Sequence, residues 1–194
     1  MALVQIPASP CMILTDREIR HSIDTGSISI SPMPGDEAFA PTTVDLTLHA
    51  RLKVFRPAAP GDDAPLDPAG PGYVFAEVVE KIAEDVEIGQ EGFVLAPQQL
   101  VLAWTRERVL ILPSGRVVGR LEGKSALARL GMAIHVTAPT IHAGSSGQIQ
   151  LEIVNHGPRP ILMRAGMRVC QIMFEQTLGV PEKGYGGQFR GQRA

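Results

Sequence analysis

The chain has 194 residues, 44% hydrophobic and 20% charged, with a net charge of -2 at neutral pH. That composition suits a globular protein with enough chain for a sizeable core, and it excludes a general field for nucleic acid or an anionic membrane, so an anionic ligand needs a local cluster. Cys11 and Cys170 are too few for a disulfide framework or a structural zinc site, Pro7 and Pro10 interrupt the apolar residues near Met1, and no apolar run approaches the ~20 residues that span a bilayer.

The expectation is therefore a single domain over residues 1–194, soluble and cytoplasmic. Leu14 to Ile23 reads as a helix, because Thr15 and Glu18 have capping-box spacing, Leu14 can staple onto Ile19, and Gly26 follows as a stop. Ile28 to Pro34 reads as an edge segment, since its prolines cannot donate to a ladder. Val44, Leu46, Leu48, Leu52 and Val54 then mark a long half-buried strand, with Asp45 and Thr47 on its solvated face.

Between Arg56 and Tyr73 the chain is too rich in Pro, Gly and Asp to bury anything, and residues 57–72 read as a mobile loop within the domain. Short strand-like runs follow: Tyr73 to Val79, Gly92 to Leu95, Leu100 to Trp104, Val109 to Leu112 and Val117 to Leu121. Ile149 to Val154, Ile161 to Met163 and Val169 to Phe174 come after the central loops. Many short strands with few helices predict a sandwich, a jelly roll or a barrel.

The stretch from Gly119 to Asn155 carries the most chemistry. Lys124 and Ser125 stand where the strand-like run ending at Leu121 meets a helix-like run, Ser125 to Leu130. With Ser125 as N-cap, backbone N–H groups, a hydroxyl, the Lys124 ammonium and Arg129 one turn on would converge on one anion, and Gly131 would end the helix. A capped surface helix with solvated charges has the same pattern. In Gln148 to Ile153 the apolar residues alternate, so Ile149, Leu151 and Ile153 share one face and Glu152 takes the other. A strand Glu is commonly solvated, but in a closed, partly dry site it could move protons near neutral pH.

The remaining candidates are weaker. His21, His49, His135 and His156 have no metal-site spacing, Cys170 reads as a small core hydrophobe, and Trp104 with six Phe is too sparse for a base-stacking platform. The glycine-rich, polar stretch 180–194 reads as a tail.

The runs GKSALARLG, HVTAPTI and GSSGQIQLEIVN, supported by ILTDREIRHSI, TVDLTL, VCQIMFE and YGGQFRGQ, resemble the dCTP deaminases of the trimeric dUTPase superfamily, in order along nearly the whole chain. The resemblance implies a mainly β fold, a distorted jelly-roll-like β-barrel of the dUTPase type with short helices. It implies hydrolytic deamination of dCTP to dUTP with release of ammonia, feeding thymidylate synthesis. Zinc-dependent nucleobase deaminases carry H-x-E with P-C-x-x-C, and this sequence has neither, so the expected chemistry uses no protein-held metal. Mg²⁺ is expected only with the substrate triphosphate.

In that resemblance Glu152 is the proton shuttle, with Ser125 and Arg129 ordering the water. Val136, Thr137 and Ala138 hold the base through backbone groups. Lys124, Ser125 and Ala126 take the phosphates, Leu127, Ala128, Arg129, Gln150 and Leu151 are further substrate-binding positions, and Gln171 lines the sugar pocket. Tyr185, Gln188 and Gln192 belong to a C-terminal lid over 180–194. The sites would lie between subunits of a homotrimer, with dCTP and dUTP as ligands and dTTP as a candidate inhibitor.

The sequence departs from the family pattern at several positions. His142 replaces a usual acidic residue, Gln188 a lysine and Lys124 an arginine, Ala126 lacks a hydroxyl, and Thr140 stands where some relatives have a basic residue. Two alternatives stay open: a bifunctional deaminase and diphosphatase giving dUMP, and a non-catalytic nucleotide-binding trimer.

Overall fold

A computed structural model of the chain describes residues 12–61, 64–187, 191 and 193. The first helix, α1 (Asp16–Asp24), starts two residues later than its apolar pattern predicts, and Gly26 leaves it at φ +78°. Thr15 and Glu18 do meet, but hydroxyl to carboxylate, and the Thr15 side chain caps no backbone N–H. Ile19 anchors the helix in the core.

The main sheet has eleven strands. These are β1 (Met12–Ile13), β2 (Ile28–Ser31), β3 (Phe39–Ala40), β4 (Thr43–Phe55), β5 (Ala83–Glu87), β7 (Leu100–Ile111), β8 (Val117–Gly123), β9 (Met132–Ala133), β10 (Thr140–Ile141), β11 (Ser146–Asn155) and β13 (Arg168–Gln176). Its path runs β10-β8-β13-β4-β7-β11-β9, with β1 on β13, β2 on β7, and β3 and β5 on β4. A separate antiparallel pair joins β6 (Phe93–Leu95) to β12 (Ile161–Met163).

The long β4 makes the sheet curl. Its first half pairs with β13 and its second with β5 and β7, with register shifts between Leu48 and Leu52 and between Arg168 and Cys170. Such irregularities bend a strand and raise its twist, so one sheet wraps around a single core. Leu46, Leu48, Leu52, Val101, Leu151, Ile153, Ile172 and Phe174 fill it, and Cys170 packs among them as the small hydrophobe its strand predicts.

Three of the predicted runs fold differently. Tyr73 to Val79 is not a strand: Phe75–Ile82 forms helix α2, and β5 follows directly. Phe75, Val79 and Ile82 are spaced one and two helical turns apart, and Val79 is buried with Ala83 and Leu102 against Phe55 and Phe75, so a helical period was hidden in a short apolar run. Leu100 to Trp104 and Val109 to Leu112 are not two strands but the ends of β7.

Two of the polar residues between those ends sit inside the fold, while Arg106 stays exposed. Thr105 and Glu107 are buried; the Thr47 N–H and hydroxyl donate to Glu107 at 2.8 and 2.6 Å, and the Ile149 N–H donates to Thr105 Oγ1 at 3.0 Å. These side chains satisfy backbone groups that the bulges leave unpaired. Residues 56–74 hold neither helix nor strand among those described. No helix among the described residues is long and apolar enough to cross a membrane.

Two backbones nearly touch where the chain leaves β11. A Cβ on Gly157 would lie 2.2 Å from the Leu130 carbonyl oxygen, and one on Gly131, at φ +95°, would lie 2.3 Å from the Gly157 nitrogen. Gly157→Ala should therefore cost roughly 2–3 kcal/mol, read as a fall in the thermal midpoint. Gly179→Ala, with nothing within 4 Å of the added carbon, should be near neutral, and equal midpoints would contradict the close approach.

Candidate active site

Alternation along β11 sends Ile149, Leu151 and Ile153 into the core and leaves Glu152 half-buried on the opposite face. Across the sheet Glu152 is paired with Leu102. On the other flank the chain leaving β9 turns through residues 134–139, and the Val136 N–H donates to Glu152 Oε2 at 3.4 Å. A cavity of about 530 Å³ opens here, and Glu152, Ala138, Gln150, His142 and Tyr185 are among its walls. Five predicted site residues from three separate stretches thus share one cavity.

His142 and Tyr185 meet ring to ring, with centroids 5.3 Å apart and planes 19° apart. The Tyr185 N–H donates to the Ala143 carbonyl at 3.0 Å, and the Gly191 N–H to Ser146 at 2.6 Å, so the described part of the tail lies along the 143–146 loop. Gly144 permits this approach: it sits at φ +88°, and a Cβ there would fall 2.8 Å from the Tyr185 nitrogen. Gln188 and Gln192 lie outside the described residues.

The second group of candidates lies elsewhere. Lys124, Ser125, Ala126, Leu127, Ala128 and Arg129 line no wall of the Glu152 cavity. The helix here, α3 (Ser125–Ala128), is a single turn. Lys124 rather than Ser125 is its N-cap, in extended backbone and without a side-chain capping bond, and Ser125 is the first helical residue. Ser125, Ala126, Ala128 and Arg129 are exposed, while Leu127 packs against the core. Gly131 ends the turn in left-handed backbone, as expected. Val136 and Thr137 are exposed, and the Leu151 side chain is wholly buried, so only its backbone can face the site.

Asp45 was expected on a solvated face, and the structure corrects this. Its carboxylate is buried, 2.5 Å from Lys124 Nζ and 3.6 Å from Arg168 Nη1. Strand alternation gave no sign of it, because from Thr43 to Leu46 both faces of β4 are covered. Thr47, also expected on that face, is tied to Glu107. Gln171 belongs to the same neighbourhood: its Nε2 donates to the Gly123 carbonyl at 3.1 Å and its Oε1 accepts from the Thr43 hydroxyl at 3.1 Å. Together these contacts fix the end of β8 and the cap of α3. Burial pushes the adjacent Cys170 thiol well above the usual range, with the Glu107 and Asp45 charges adding to it, so it offers no thiolate. The apolar walls of the cavity, Phe55, Phe75, Leu100 and Leu102, were also missed, because two of them come from segments read as loop edge and strand.

A dCTP deaminase-like family model matches residues 13–177. The chain belongs to the dCTP deaminase-like family. A Rhodospirillum rubrum dCTP deaminase is 42% identical over 175 residues, covering 90% of this chain and 87% of that protein. An Aeromonas hydrophila dCTP deaminase is 40% identical over 178 residues, covering 90% and 89%. Among solved structures, the 2'-deoxycytidine 5'-triphosphate deaminase from Agrobacterium tumefaciens superposes with a TM-score of 0.65 at 25% identity over 86% of this chain. This chain spans 48% of that longer one. A dUTPase from phage phi11 of S. aureus also matches, at 13% identity and a TM-score of 0.48. The mainly β, jelly-roll-like barrel of the dUTPase type with short helices is the fold observed.

The Asp45 pair yields a stability test. Asp45→Asn leaves the Lys124 ammonium, with its side chain 26% exposed, without its anion. A loss of about 2 kcal/mol is expected, below that of a wholly buried pair because the lysine keeps some water. Chemical denaturation with an unchanged m-value would measure it, and an unaltered midpoint would show that the pair holds nothing in place.

Proposed function

We propose that the chain hydrolyses the exocyclic amino group of dCTP, giving dUTP and ammonia for onward supply to thymidylate synthesis, without a metal held by the protein. Curated relatives near 40% identity over 90% of the chain carry the name dCTP deaminase. The observation that carries the reading is Glu152: a half-buried carboxylate, fixed by a backbone donor and facing a cavity large enough for a nucleotide base.

In this reading the Glu152 carboxylate takes a proton from a water as the water's oxygen bonds to C4. It passes that proton to N3, then carries the proton of the new C4 hydroxyl to the amine, so that ammonia leaves as the C4–N bond breaks and the C4=O bond forms. Backbone groups of Val136, Thr137 and Ala138 hold the polar edge of the base. Lys124 and the α3 turn, with Tyr185, Gln188 and Gln192, hold the triphosphate and its Mg²⁺; Gln171 and His142 lie at the sugar.

Ser125 and Arg129 are exposed and outside the Glu152 cavity of their own chain. That placement supports a homotrimer in which a neighbouring subunit supplies them. His142 offers an imidazole stacked on Tyr185 rather than a carboxylate, which favours ammonia alone over a second, pyrophosphate-releasing step.

Ammonia and pyrophosphate measured together from dCTP test the reading. Ammonia with no pyrophosphate is the expected result, and Glu152→Gln should lower kcat by about 10²–10⁴-fold. A parent that binds nucleotide but releases no ammonia would refute the deaminase assignment, and a fully active Glu152→Gln would remove that residue from the chemistry. Preincubation with a zinc chelator such as 1,10-phenanthroline should leave turnover unchanged; inhibition would overturn the metal-free route.

A further inference from the structure

β7 and β11 do not run evenly past each other. From Ser146 to Gln148 they pair residue for residue, with Gln148 opposite Arg108, and beyond an irregularity Gln150 stands opposite Trp104 and Glu152 opposite Leu102. β7 therefore spends three residues, Thr105, Arg106 and Glu107, where β11 spends Ile149 alone. The surplus is two residues, an even number, so it moves Glu152 along β7 without turning it over.

If the surplus were taken up, regular pairing onward from Gln148 and Arg108 would oppose Leu151 to Thr105 and Glu152 to Trp104. The carboxylate would then lie about 7 Å farther along β7, beside an indole and no longer beside Leu102, which lines the cavity. Ile149, Leu151 and Ile153 would still face the core in that register, so burial of the apolar face does not choose between the two. The choice falls to groups at the bulge.

Thr105 is wholly buried there. Its Oγ1 accepts the Ile149 N–H at 3.0 Å, and its hydroxyl donates to the Glu107 carbonyl at 2.7 Å, which closes the surplus residues on themselves and onto β11. Gln148 Nε2 donates to the Thr105 carbonyl at 2.9 Å. On the other side of β7, Thr105 is opposed to Leu48, where β4 has its own irregularity. One hydroxyl thus sits where both neighbours of β7 change register.

We infer that Thr105 is a positioning residue for the reaction: its hydroxyl clasps the β7 bulge and so fixes Glu152 opposite Leu102, at the cavity. Thr105 itself lines no wall of that cavity and acts through Glu152. The inference rests on the deamination proposed above, in which Glu152 must meet a water and C4 in one geometry.

Thr105→Val keeps the shape of the side chain and removes the hydroxyl, whereas Thr105→Ser keeps the hydroxyl. Both are assayed below their thermal midpoints, with turnover of dCTP normalised to folded protein and affinity for dUTP measured by calorimetry. Thr105→Val should lower kcat for ammonia release at least about tenfold, since a misplacement of about 1 Å suffices for such a loss, while Kd for dUTP changes little. Thr105→Ser should keep most of the wild-type kcat. Unchanged kcat in a folded Thr105→Val, an equal loss in both variants, or a loss that Kd follows in step would each overturn the inference, because each belongs to packing in general and not to the clasp.

In the wild-type chain the Ile149 amide hydrogen should exchange as slowly as the ladder amides of β11; fast exchange there overturns the clasp even if the valine variant does not fold. A wild-type chain that releases no ammonia refutes the deaminase reading and, with it, the role in turnover. One that releases ammonia while Thr105→Val matches it refutes the positioning alone.

Discussion

Leu151 and Ile153, wholly buried on one face of β11, determine where Glu152 points. A slip of one residue in that strand would put the carboxylate in the core and two large apolar side chains in the cavity. The register is guarded from both sides, by the pairing of β11 with β7 and with β9. The position of the acidic group is thus set by hydrophobic burial on the far side of the sheet, and the cavity itself contributes one backbone hydrogen bond.

Polar groups inside the barrel do the complementary work at the strand ends. Glu107 holds the Thr47 backbone and hydroxyl, Asp45 holds Lys124, and Asn155 Nδ2 donates to the Leu95 and Arg159 carbonyls while its Oδ1 accepts from the Gly157 N–H. Each stands where the ladder is irregular or a strand gives way to a turn. Left unpaired, any of them would be costly to bury, so the network favours one arrangement of loops over its neighbours. The loops fixed in this way include those carrying α3 and the 155–160 turn.

Much of this was legible in the sequence. The alternation around Glu152, the long strand through Val44 to Val54, the glycine after Leu130 and the mainly β class all follow from periodicity and turn chemistry, because each is a local signal. Asp45 was not legible: a strand covered on both faces has no solvated side for its polar residue. Glu107 failed for a related reason, since charged residues in sequence suggest a turn, and here a partner strand sixty residues away absorbs its carboxylate. The helical period of Phe75, Val79 and Ile82 was too short to separate from a strand without its seat on Leu102.

One wall of the cavity is built by α2, and α2 reaches the sheet through a stretch, residues 56–74, that holds neither helix nor strand among the residues described. Its seat comes from Val79 and Phe75 meeting Leu102 and Phe55, while the connecting peptide acts as a tether whose closure entropy grows only slowly with length. Duplication or trimming of the Pro/Gly residues could therefore accumulate without reshaping the chamber. A reporter group grafted into that tether would stand in sequence between two residues of the cavity wall, Phe55 and Phe75, while leaving both in place.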